Sequence, residues 1–304
     1  MAKKNKKSTI LRGMTRDGSA RFLIINSTEM VNEMVKMHKT LPTATAAMGR
    51  LITASSMIGT LLPEKNNTVT VQTSTDGIIS SMVAVSDYYG NVKSYMRGTD
   101  ADPPRKSNGK LDVGGAVGKG YIALIRDLGT GDVQSGTTEI VTGEIAEDLA
   151  SYFANSEQIP TLLSLGVLVD IDYSCKAAGG VLIQLMPYPD DNTVTLLERN
   201  AADLQSISRI IDAGKTNFDI AEIALRDIPF DVFDTLEVEY KCDCSFRRVR
   251  KKLKALGKEQ VIGLFDDQEK EGKPRELQTV CRFCGKEYTF TEKDFFKEET
   301  GSEE

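Results

Sequence analysis

The stretch Val69-Thr70-Val71-Gln72-Thr73, followed by Asp76-Gly77 and then Ile78 to Val85, decides the fold class. Short apolar runs on either side of an Asp-Gly turn signal read as a β-hairpin. Tyr89-Gly90-Asn91 then turns into a third run, Val92 to Arg97, so the predicted pairing is antiparallel. Upstream, Pro42 opens a long apolar helix. Its window, Thr43 to Leu62, contains Arg50, Thr45, Thr53, Ser55, Ser56, Thr60 and two glycines, which suits burial in protein better than a bilayer. Before it, Ser27 or Thr28 can cap a helix through Met30, Met34, Met37 and His38.

Downstream, Asp102 to Gly120 reads as a Gly/Pro-rich loop, Tyr121 to Arg126 as a strand, and Leu162 to Ile171 and Val181 to Met186 as two more. A helix is expected from Glu144, because Ile145, Leu149, Tyr152 and Phe153 share one face; Glu144, Glu147 and Asp148 then fall on a solvated face. The fold class predicted is α+β, with a large N-terminal domain (1–188) of antiparallel sheet and packed, buried helices.

A chain of 304 residues has room for about two domains. Charge divides it further. Residues 189–240 carry 4 basic and 12 acidic side chains, against near balance on either side, which marks a distinct acidic connector. Val194, Leu197, Leu204, Ile207 and Ile211 recur there at helical spacing. The connector is therefore expected to be helical, with a narrow apolar stripe whose order depends on docking. A net charge of −6 gives no global field for nucleic acid or an anionic membrane. The start of the chain lacks an apolar run of signal-peptide length, and the expectation is a cytosolic protein.

The third segment, 241–304, holds the chemistry. Cys242-Asp243-Cys244 and Cys281-Arg282-Phe283-Cys284 place four of the five cysteines in two close pairs. Two such turns can complete a tetrahedral four-thiolate shell, so Cys242, Cys244, Cys281 and Cys284 are the expected ligands of one Zn²⁺, with an iron–sulfur cluster the weaker alternative. The single histidine, His38, rules out any site with two histidine ligands. A basic run follows the first pair: Arg247, Arg248, Arg250, Lys251, Lys252, Lys254 and Lys258. It can offset the negative zinc–thiolate centre or contact phosphate, and the scarcity of interleaved aromatics disfavours nucleic acid. Whether such a zinc site is static or switchable is not decided by spacing. Each close pair can also close as a disulfide on oxidation, which would remove two ligands at once.

With these residues in view, the chain resembles the redox-regulated 33-kDa heat-shock chaperone family, heat shock protein 33. The resemblance lies in Cys242-x-Cys244-Ser245, Leu256-Gly257, Cys281-x-Phe283-Cys284 and Tyr288-x-Phe290, in Gly143 to Ala150 with Tyr152-Phe153 and Ser156-Glu157-Gln158, and in Ala178-Gly179-Gly180 with Gln184. It implies an ATP-independent holdase, not an enzyme, that is inactive while reduced and zinc-bound. It further implies disulfides joining Cys242 with Cys244 and Cys281 with Cys284 on oxidation, zinc release, unfolding of the 189–240 linker, homodimerisation, and capture of unfolding client proteins. The client-binding candidates are Val194, Leu197, Leu204, Ile207 and Ile211. Two departures bear on switch sensitivity: Arg247 stands where relatives often carry an acid, and the spacer from Asp266 to Glu276 is longer. The competing reading is a nucleic-acid- or protein-binding protein with a static zinc ribbon.

Other residues invite blander readings. Cys175 is expected to be a small core residue rather than a metal ligand. His38 reads as a helix-end residue, and Gly115 to Gly120 lacks the residues of a phosphate loop, so no ATPase is expected.

Overall fold

The computed structural model describes residues 7–296; the Lys-rich start (1–6) and the end of the segment expected over 241–304 (297–304) lie outside the described residues. The chain divides into two compact units, Met1–Lys241 and Cys242–Glu304. The first runs β1 (Ser8–Thr15), β2 (Ala20–Asn26), α1 (Thr28–His38), α2 (Pro42–Gly59), β3 (Thr68–Thr75), β4 (Ser81–Asp87), β5 (Val92–Arg97), α3 (Val113–Val117), β6 (Gly120–Asp127), β7 (Val133–Glu139) and α4 (Ala146–Tyr152). After a π-helical turn (Phe153–Glu157) come β8 (Thr161–Val169), β9 (Cys175–Leu185), α5 (Asp191–Ala201), α6 (Ile207–Asp212), α7 (Asn217–Ala224) and β10 (Phe230–Val238).

These strands form two antiparallel five-stranded sheets, ordered β10-β1-β2-β9-β8 and β5-β4-β3-β6-β7. The hairpin read from Val69 to Val85 is β3–β4, with Val71 opposite Ala84 and Thr73 opposite Met82. One face of that sheet is covered, so Val69, Val71 and Thr73 are buried while Thr70 and Gln72 are only half-buried. The cover is α2. Pro42 sits in its first turn, and every residue of the helix except Arg50 is buried. It packs on strands of both sheets and on α1, which accounts for the apolar window that crosses no membrane. No described helix is long and apolar enough to do so.

The first sheet is covered on both faces, and this hid β1 and β2 from pattern reading. On β2, Leu23 and Ile25 join the core around α1 and α2, while Phe22 and Ile24 join a second core with α5 to α7. Two buried faces leave a continuous apolar run with no alternation to read. The acidic segment supplies that second cover: Leu197, Leu204, Ile207 and Ile211 are buried, and Val194 is half-buried. Asn200, wholly buried, donates from Nδ2 to the carbonyls of Ala224 and Arg226 and ties α5 to the end of α7. The segment then becomes β10, an edge strand paired with β1. Acid–acid repulsion is relieved by ion pairs from Arg12 to Asp234, Arg16 to Asp231, Lys176 to Asp212, Arg199 to Asp227 and Arg226 to Asp203.

Two glycines make the seat for α6. Gly166 on β8 pairs with Gly179 on β9. A Cβ at Gly166 would lie 2.8 Å from the Ser208 nitrogen, and one at Gly179 would lie 2.2 Å from the Ile25 carbonyl oxygen and 2.4 Å from Ile211 Cδ1. Only hydrogen at these two positions lets Ile207 and Ile211 approach the sheet so closely.

One expectation is overturned. Glu144 and Asp148 do not lie on a solvated face: Glu144 pairs with Arg50 and Lys106, and buried Asp148 accepts backbone N–H bonds from Val141, Thr142, Gly143 and Ile145. The turn entering α4 leaves those amides without helical partners, and a carboxylate is the side chain that can satisfy several at once. Ser27 occupies the residue before α1 but makes no cap bond, its hydroxyl meeting Thr53 instead. His38 ends α1 and bonds the Tyr240 hydroxyl at 2.8 Å.

Candidate metal centre

The second unit contains α8 (Phe246–Lys254), α9 (Lys258–Lys270), β11 (Leu277–Val280), β12 (Glu287–Phe290) and α10 (Glu292–Phe295). Its apolar core is small: Val261, Phe265, Leu277, Tyr288, Phe290 and Phe295 are buried, with Cys244, Val249, Leu253 and Cys281 packed against them. On α8 the apolar Phe246, Val249 and Leu253 share one side, leaving the other to the basic run. Arg248 pairs with Asp243. The long spacer from Asp266 is absorbed by the last turns of α9 and a turn at Gly272 (φ 69°). Arg275 fastens it by donating to Asp266 at 2.7 Å, to Glu292 at 2.8 Å and to Glu269.

Two segments carry the cysteines, an irregular stretch ahead of α8 and a tight turn between β11 and β12. In the second, the Cys284 and Gly285 amides both donate to the Cys281 carbonyl, at 3.3 and 2.8 Å, and Gly285 takes the left-handed φ of 71° that the turn requires. The Cys281 amide donates to the Lys286 carbonyl, so the turn is anchored to the start of β12, itself paired with β11. The sulfurs of Cys242, Cys244, Cys281 and Cys284 lie within 4.8 Å of one another. Between the two segments, Cys242–Cys281 is 3.7 Å and Cys244–Cys284 is 3.4 Å. A tetrahedral ZnS₄ shell with ~2.3 Å bonds has sulfur–sulfur edges of ~3.8 Å. Four soft thiolate donors at that spacing fit a metal ion of this kind.

Burial raises the Cys242 and Cys284 thiols above their ordinary value. It acts on Cys244 too, but the Tyr288 hydroxyl and the three neighbouring sulfurs outweigh it and bring that thiol down to about 7. Tyr288 donates to Cys244 Sγ at 3.0 Å. Nothing in the cysteine spacing announced this contact; its signal was the alternation Tyr288-x-Phe290 shortly after Cys284. Cys175 stands apart, buried on β9, its thiol pushed up to about 12 chiefly by burial. Cys175→Ser should leave metal content unchanged, and in the folded protein at pH 8 Cys175 should resist iodoacetamide; zinc loss in that variant, by elemental analysis, would contradict the separation.

Over residues 8–291 the chain matches the family model described as Hsp33 protein. It belongs to the Hsp33 family. A 33 kDa chaperonin of Clostridium botulinum is 40% identical over 286 residues, covering 94% of this chain and 95% of that one. Another, of Agathobacter rectalis, is 38% identical over 282 residues, covering 93% and 96%. The crystal structure of a 33 kDa chaperonin (heat shock protein 33 homolog) from Thermotoga maritima superposes with a TM-score of 0.85 at 33% identity, over 95% of this chain and 97% of that one. Hsp33 membership supports a chaperone function, and the four-cysteine cluster is the feature of this member placed to hold a metal ion.

Proposed function

We propose that this Hsp33 member is a cytosolic, ATP-independent holdase controlled by thiol oxidation, with residues 1–188 as chaperone core, 189–240 as linker and 241–304 as switch. The observation that carries the reading is the cluster of four sulfurs in a unit whose described residues include six buried apolar side chains. Bound Zn²⁺, one per chain, supplies the cross-link such a unit needs. Oxidation joins Cys242 to Cys244 and Cys281 to Cys284; each disulfide passes two electrons to the oxidant and withdraws two thiolates from the centre. The unit then loses its order and the linker loosens. Val194, Leu197, Leu204, Ile207, Ile211 and the sheet face beneath them become available to unfolding clients and to a second copy.

The test follows zinc release and suppression of client aggregation together, before and after hypochlorous acid or peroxide. Oxidised protein should release its zinc and gain holdase activity. Retention of zinc, or release without that gain, favours a static zinc ribbon and sinks the switch.

A further inference from the structure

Tyr288 is 6% exposed, pairs with Thr279 across β11–β12, stacks at 6.4 Å on Phe290, and has Lys286 Nζ 5.5 Å from its ring centroid. Its ring is held by packing, and its hydroxyl is aimed at one sulfur of four, Cys244.

We infer that the Tyr288 hydroxyl is a positioning group that slows oxidation of Cys244 and so sets the oxidant threshold of the pair Cys242–Cys244; the inference rests on the redox reading above. Towards hypochlorous acid, the Cys244 sulfur attacks chlorine: an S–Cl bond forms, the Cl–O bond breaks and hydroxide leaves. Cys242 sulfur then displaces chloride to form the S–S bond, so two thiolates lose two electrons and chlorine gains them. The O–H···S bond draws density from the lone pair that must attack, and it weakens as sulfur loses its negative charge. The hydroxyl therefore stabilises the starting thiolate more than the product.

Tyr288→Phe keeps the ring and removes the donor. It should bind one zinc and melt near the wild-type temperature, yet release zinc to hypochlorous acid about five-fold faster, the factor expected for one net hydrogen bond. With Co²⁺ in place of zinc, its sulfur-to-metal charge-transfer band should move to lower energy, a shift that loss of packing alone does not produce. Equal release rates and an unmoved band in a metal-loaded Tyr288→Phe chain overturn the inference. Absence of zinc release from the wild type instead overturns the switch reading. Should the variant fail to take up metal, sub-stoichiometric hypochlorous acid and mass-spectrometric mapping of the wild type decide: Cys281–Cys284 should close before Cys242–Cys244, and closure of Cys242–Cys244 first overturns the proposal.

Discussion

Cys281→Ser should take the chain from one zinc to essentially none and strip hydrogen-exchange protection from residues 242–296, while leaving 28–185 protected. The size of the effect follows from how little else holds the second unit. Among the described residues its core is six buried apolar side chains, and a single apolar core in a unit this small rarely supplies more than ~3–5 kcal/mol. A structural zinc contributes ~10–16 kcal/mol in small domains. The ion pairs of Arg275 with Asp266, Glu269 and Glu292 link α9, the spacer and α10, but they sit at the surface, where such contacts count for little. Elemental analysis and exchange on the same sample separate two failures. Full zinc occupancy would remove Cys281 from the ligand set; zinc loss with protection intact would mean that the metal does not hold the unit.

How much of this was legible beforehand depended on whether a residue's pattern reports one neighbour or several. The β3–β4 hairpin and the buried helix α2 were plain because one covered face gives alternation and a charge-poor run gives burial. The strands β1, β2 and β10 were not, since Phe22 to Ile25 answers to two cores at once and β10 is acidic at positions that face Arg12 on β1 and Arg16 just after it. The cysteine cluster was legible from spacing alone, because metal ligation tolerates few arrangements. Asp148 and Glu144 were misjudged for a local reason: helical periodicity predicts a face, not an unusual turn that presents its amides to one carboxylate. Tyr288 was missed in the same way, its partner lying 44 positions earlier in the chain.

Gly166→Val should open the linker without any oxidant. The added side chain would enter the space now filled by Ile207 and the Ser208 backbone, and a backbone neighbour cannot swing aside as a flexible side chain can. Overpacking of this kind costs ~1–3 kcal/mol, a roughly 5- to 150-fold rise in the population with α6 displaced. Displacing α6 also breaks Lys176–Asp212 and uncovers Ile207, Ile211 and the sheet face they hide. In hydrogen exchange the reduced, zinc-loaded variant should therefore lose protection over about 189–225, and the oxidised, zinc-free wild type should lose it over about 189–290. Both should keep protection in α2 and around Glu144 to Phe153, which lie in a core to which α5, α6 and α7 do not contribute. Aggregation of a thermally unfolding client then distinguishes the roles. Suppression by the reduced variant would show that freeing the linker suffices and that the cysteines act upstream of it. If the variant loses protection over 189–225 and still fails to suppress aggregation, Ile207, Ile211 and the sheet beneath them are not the client surface. If oxidised wild type keeps uniform protection across 189–240, any zinc holds only its own unit, and coupling between metal and linker is lost as an explanation even with all four ligands correct.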